Sequence, residues 1–154
     1  MIILPKVLIV MGSKSDEEIA KKAAEVLQQF GVDYDVEIAS AHRTPEKVIE
    51  LCKKAEEGHY DVIIAIAGLS AHLPGFVAAF TRRPVIGIPR NVSLLGLDSL
   101  LSIVQMPPKV PVATVGIDNA KNAAFLALRI LALKYDDIDK KLRDFMEAMR
   151  HDKV

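Results

Sequence analysis

Val7-Leu8-Ile9-Val10-Met11-Gly12-Ser13-Lys14-Ser15-Asp16 passes from an apolar, β-branched run into small polar residues, and a helical pattern opens at Glu17. Such a switch, across one glycine and two serines, is what a βα unit requires. At this junction the first N–H groups of the helix lack intrahelical partners and the dipole is positive, so a phosphate is favoured there. The same unit repeats along the chain. Further strands are expected at Asp35–Ala39, Asp61–Ala67, Val85–Pro89 and Val112–Gly116. Helical stretches are expected at Ser15–Phe30, from Thr44-Pro45 to Gly58, from His72–Pro74 to Arg82, and at Leu97–Val104, Asn119–Leu133 and Asp136–Arg150. The alternation predicts one α/β domain over residues 1–154, a three-layer α/β/α sandwich. Its five parallel strands are expected in the flavodoxin-like order 2-1-3-4-5.

Local signals mark the helix ends. Ser15 and Glu18 read as a capping box, Thr44 as an N-cap before Pro45, and Gly31 and Gly58 as stops. The last helix carries Ile138, Leu142, Phe145, Met146 and Met149 on one stripe. With a five-stranded core already flanked by helices, that stripe is expected on a neighbouring subunit.

Composition narrows the function. The chain has 154 residues, with 20 Lys+Arg balanced by 20 Asp+Glu, so the charge footprint of a nucleic-acid binder is missing. The hydrophobic share is 51% with only 5% aromatic. That aliphatic excess fits either a sheet buried on both faces or subunit contacts. Cys52 is the only cysteine, which excludes an internal disulfide and a multi-thiolate metal site; within a helical pattern it reads as a packing residue. No apolar run approaches the roughly 18 residues of a membrane span, and the first five residues are too short for a signal h-region. A soluble, cytoplasmic protein without membrane contact is expected.

In a sheet of this order the loops after strands one, two and three meet in one crevice. Those loops hold Ser13, Ser15 and Asp16; Ser40, His42 and Arg43; and Gly68, Ser70, Ala71, His72 and Leu73. Arg43 has the planar fork that suits phosphate. Asp16 beside a phosphate site is better placed to accept from sugar hydroxyls. His42 and His72 supply the side chain best matched to proton transfer near neutral pH. Dinucleotide, P-loop and zinc-protease fingerprints are missing, so no cofactor or metal is expected.

Four segments then resemble one family: Met11–Asp16, Ser40–Pro45, Ala71–Gly75 and Asp98–Pro107. They are similar to the N5-carboxyaminoimidazole ribonucleotide mutases, the class I form of the phosphoribosylaminoimidazole carboxylase catalytic subunit. The resemblance spans about Lys6 to Leu133. It implies a homo-octamer of purine (IMP) biosynthesis with sites at subunit contacts, and a small-molecule aminoimidazole ribonucleotide substrate. It also implies His42 as the catalytic acid and base, Ser13 and Asp16 on substrate, Arg43 on phosphate, and the His72 loop over the ring. The sequence departs from the class I pattern at Gly68-Leu69-Ser70, at Pro89-Arg90-Asn91 and in the short segment from Gly116 to Ala123. A class II enzyme carboxylating aminoimidazole ribonucleotide directly, and a non-catalytic phospho-sugar module, therefore remain as alternatives.

Overall fold

Three strands of this chain have no solvent face. Lys6–Met11 (β1), Val62–Ala67 (β3) and Val85–Pro89 (β4) are almost wholly buried, whereas Asp33–Ile38 (β2) alternates as an edge strand does. A computed structural model, which describes residues 3–152, joins them with the short Ala113–Thr114 (β5) into one sheet of order β2-β1-β3-β4-β5, every pair parallel. The predicted three-layer fold and strand order are present. β5 is shorter than the expected Val112–Gly116.

Because successive side chains alternate between faces, each central strand feeds two cores. Val7, Ile9, Ile64, Ile66, Ile86 and Ile88 pack under Glu17–Gln29 (α1), Ala120–Ala132 (α5) and Asp136–Arg150 (α6). Leu8, Val10, Ile63 and Ala65 pack under Pro45–Glu56 (α2), Leu73–Phe80 (α3) and Leu97–Val104 (α4). Gly87 in β4 lacks a side chain for a reason: a Cβ there would lie 2.5 Å from Ile103 Cγ2 and 3.3 Å from Pro74 Cβ. Its absence lets α3 and α4 sit directly on the strand.

The C-terminal helix corrects one expectation in part. The first half of its stripe is covered within this chain, where Ile138 and Leu142 are buried, while Met149 at its end stays exposed. Phe145 lies 5.6 Å from Phe30 and 5.1 Å from Phe125, centroid to centroid. The alanines of α5 (Ala120, Ala123, Ala124, Ala127) sit close over the sheet, while Phe125 on its flank offers α6 an aromatic face. Cys52 is buried, and burial pushes its thiol up to about 11, in keeping with a packing role.

Glu56, at the end of α2, ties down the start of the β4 connection. Thr81 Oγ1 and the Arg82 backbone N–H donate to its Oε1, and Arg82 Nε donates to Oε2 at 2.8 Å. These donors, the Arg82 N–H foremost, draw the carboxyl down to about 2. A depressed pKa contributes stability above the ordinary carboxylate range that is lost as pH falls through the folded value. Glu56→Gln should therefore melt below the unmodified protein at pH 6. The gap should shrink as pH falls from 4.5 towards about 2, and a gap constant across that range would exclude the carboxylate as its source.

Candidate active site

The loops at the carboxyl ends of β1, β2 and β3 meet beside the point where strand order reverses. After β1, Ser13 is extended and caps a 3-10 turn, Lys14–Asp16, that precedes α1. Its Oγ accepts from the Ser15 N–H at 3.3 Å and from the Ser15 hydroxyl at 3.0 Å. The capping role expected of Ser15 thus belongs to Ser13, because the extra turn delays α1 to Glu17. Glu18 pairs with Lys22 at 3.2 Å instead of closing a capping box.

After β2, Thr44 is the residue before α2 but does not cap it. Its hydroxyl accepts from the Ser40 N–H at 2.9 Å and donates to the Ser40 carbonyl at 3.3 Å. That closed turn holds His42 and Arg43 at its tip. Arg43 Nη2 then donates to the Gly12 carbonyl at 2.8 Å, and its backbone N–H to Ser40 Oγ at 3.2 Å. The guanidinium is therefore fixed beside the Ser13 loop, a pairing of cation and N-terminal amides that suits one phosphate.

After β3, the chain has to pass the β4 loop closely. A Cβ on Gly68 would lie 2.7 Å from Val92 Cγ2 and 3.2 Å from Arg90 Cβ, so a larger residue would have to displace the Val92 side chain. Leu69 follows with φ 56°, a left-handed conformation that costs a non-glycine residue on the order of 1 kcal/mol or more. His72 then starts α3. Gly75 within α3 admits the Met106 side chain, whose sulfur would lie 2.9 Å from an added Cβ. This contact joins two of the four sequence segments.

Together the loops line an open cleft of about 740 Å³, within the usual size for a small-molecule site. Ser13, Ser15, Asp16, Ser40, His42, Arg43, Gly68, Ser70, His72 and Leu73 all line it. Ala71 does not: its side chain is 1% exposed and packs in the core below, because the turn into α3 directs it inward. Ala41, Ala67, Leu69 and Val92 give the cleft an apolar wall. His42 Nε2 and His72 Nδ1 are 2.7 Å apart, with ring centroids 4.8 Å apart and planes at 75°. Sequence spacing of 30 residues hides this contact. The parallel pairing of β1 with both β2 and β3 creates it.

Asp16 differs most from its expected surroundings. Its side chain is buried, and Arg90 Nε donates to its Oδ1 at 3.1 Å. Arg90 Nη1 also donates to Asp118 Oδ1 at 2.9 Å. Burial raises the Asp16 carboxyl above the usual carboxylate range, while the hydrogen bond and charge of Arg90 oppose that rise. Sequence reasoning left Arg90 without a role and missed Asp118. A charged residue directly after a buried strand, Pro89-Arg90, was the available signal.

Comparison with known proteins agrees with this geometry. The AIR carboxylase family model matches residues 6–152. The N5-carboxyaminoimidazole ribonucleotide mutase of Pyrococcus horikoshii is 60% identical over 147 residues, 95% of this chain and 83% of that protein. The enzyme of that name from Saccharolobus solfataricus is 56% identical over 150 residues, 97% of this chain and 95% of its own. The crystal structure of Treponema denticola PurE superposes with a TM-score of 0.86 at 36% identity, covering 96% of this chain and 93% of that one. The matched span contains both histidines, Arg43 and the whole sheet, and on these findings the chain belongs to the AIR carboxylase family.

Proposed function

We propose that this chain is an N5-carboxyaminoimidazole ribonucleotide mutase, moving a carboxylate from the exocyclic nitrogen of the substrate to ring carbon 4. The observation that carries the reading is the His42–His72 pair, 2.7 Å apart in the cleft that also holds Arg43. The high identity to relatives bearing that name supports it.

Arg43 and the amides of the Ser13 loop hold the phosphate, and Asp16 accepts from the ribose hydroxyls. The aminoimidazole then lies towards the histidines and the apolar wall. His42 as an acid protonates the exocyclic nitrogen while the nitrogen–carboxyl bond breaks, releasing carbon dioxide. Ring carbon 4 uses its electron pair to bond that carbon dioxide. The proton on carbon 4 passes to His42, which regains the form in which it began. Protons and carbon dioxide balance without a cofactor. Imidazole suits a group that gives and takes a proton in one cycle. The hydrogen bond to His72 orients the His42 ring, and small apolar neighbours such as Ala41 and Ala67 slow hydration and escape of carbon dioxide.

The protein acts as a homo-oligomer, an octamer on the family resemblance, in the cytoplasm. Exposed Val92, Leu94, Leu95, Leu97 and Leu101 around α4 favour subunit contact there. No helix among the described residues is long and apolar enough to cross a membrane.

The deciding experiment compares two substrates. The carbamate should be converted to 4-carboxy-5-aminoimidazole ribonucleotide. Aminoimidazole ribonucleotide with bicarbonate should turn over far more slowly at the same concentrations. Turnover of the second substrate alone would make the protein a direct carboxylase. Binding of the nucleotide with turnover of neither would make it a phospho-sugar module.

A further inference from the structure

Arg90 is half-buried at the meeting point of three loops, each following a different strand. Asp16 comes from the loop after β1, Arg90 follows β4 directly, and Asp118 lies after β5. The guanidinium spans them, Nε to Asp16 Oδ1 at 3.1 Å and Nη1 to Asp118 Oδ1 at 2.9 Å. Its backbone is pinned as firmly. The Arg90 N–H donates to the Ala67 carbonyl at 3.0 Å, and its carbonyl accepts from the buried Ser99 hydroxyl at 2.7 Å. Asp118 Oδ1 also accepts from the Asn91 N–H at 3.1 Å, and the Asp118 N–H donates to the Pro89 carbonyl at 2.8 Å.

This arrangement does more than brace the loops. Arg90 bonds only Oδ1 of Asp16, the Ser13 backbone N–H also favours the carboxylate form, and Asp16 lines the cleft. Arg90 thus anchors the carboxylate by one oxygen. A guanidinium held at a second nitrogen by Asp118 presents its Nε–H to Asp16 in a fixed direction, which a single point charge does not. An arginine held by Asp118 therefore sets the angle at which Asp16 meets the cleft.

We propose that Arg90, held by Asp118, is a positioning residue that keeps the Asp16 carboxylate charged and aimed at the vicinal hydroxyls of the substrate ribose. Arg90 does not itself touch the substrate. The inference rests on the mutase reading for the identity of the sugar. Selectivity for the ribose over its 2′-deoxy form is then partly a property of a residue outside the substrate's contacts.

The charged groups facing Asp16 are few. Arg90 approaches from the β4 end and Asp118 from beyond β5, while His42, Arg43 and His72 share the cleft. Burial favours the neutral carboxyl and Arg90 favours the carboxylate. Removing the guanidinium therefore lets Asp16 take up its proton at higher pH.

The test uses Arg90→Gln, Arg90→Lys and Asp118→Asn in the full-length protein. For Arg90→Gln, KM for the carbamate substrate should rise about tenfold, the worth of one charge-assisted hydrogen bond, with kcat changed much less. The acid limb of its kcat/KM profile should move to higher pH. The preference for aminoimidazole ribonucleotide over its 2′-deoxy analogue, read by calorimetry, should fall several-fold. Arg90→Lys should restore the position of the acid limb but not the full affinity, because it keeps the charge and loses the fork. Asp118→Asn should raise KM without moving the acid limb upward, since it removes a negative neighbour.

An Arg90→Gln variant that keeps the unmodified protein's ratio of ribose to 2′-deoxy affinity, with an unmoved acid limb, would overturn the proposal. So would a loss of activity that merely tracks the folded fraction. If Arg90→Gln does not fold, Asp118→Asn and Arg90→Lys still decide through KM and ligand ratio. Failure of the mutase reading itself would appear in the unmodified protein, as absent turnover of the carbamate.

Discussion

His42→Asn is expected to lower kcat by about 10²–10⁴-fold, the usual worth of a positioned general acid or base, while leaving nucleotide affinity within a few-fold. Asparagine keeps a hydrogen-bonding group of similar reach but cannot exchange protons near neutral pH. In the proposed mechanism the nucleotide is held elsewhere, by Arg43, fixed on the Gly12 carbonyl, and by the Ser13 turn, so binding and chemistry should separate. His72→Asn should cost less, because His72 orients the His42 ring through their 2.7 Å contact and need not accept the substrate proton itself. Calorimetry with aminoimidazole ribonucleotide measures the first quantity and a single-turnover assay the second. If affinity and turnover collapse together in His42→Asn, the histidine holds the loop and the proton-transfer role assigned to it is wrong. The 2.7 Å contact would then be structural.

Phe30→Ala should cost about 3–5 kcal/mol of unfolding free energy, the usual range for deleting a buried phenylalanine. Phe30 sits at the end of α1, edge-on to Phe125 in α5 at 5.8 Å and to Phe145 in α6 at 5.6 Å. It is the common partner of two helices, so its loss removes packing area and two edge-to-face contacts. Urea unfolding followed by circular dichroism gives the free energy. Limited trypsin digestion adds a local reading: cleavage near Lys140, Lys141 and Arg143 should accelerate as α6 detaches. A loss under about 1 kcal/mol with unchanged digestion would mean that α6 draws its stability from another chain.

The residues behind these two expectations differ in how clearly the sequence marks them. His42 stands out in the sequence because it follows an apolar run and precedes Thr44-Pro45, which places it in a crevice loop of any parallel sheet. Its partner does not stand out. Arg90 and Asp118 were harder still, since each is an ordinary charged residue until the fold brings them together. Ala71 stands between residues that line the cleft, Ser70 and His72. One turn of backbone sent its side chain the other way, a difference that strand and helix periodicity do not register. The Ser15 capping box failed similarly: a three-residue 3-10 turn moved the helix start, and short turns leave no hydrophobic period to read.

The sheet itself was legible because burial on both faces forces continuous apolar runs. Val7–Met11 and Val62–Ala67 could be little else in a chain that alternates with helical patterns, and the strand order follows from the commonest way to cover such a sheet. The identities of the crevice loops came with it. Pairing across those loops did not, because side chains 30 to 74 residues apart in the chain meet through strand register and backbone direction. Local sequence carries no signal for either. The histidine pair, the Arg90 bridge and the inward turn of α6 are consequences of packing, and packing is a property of the whole chain.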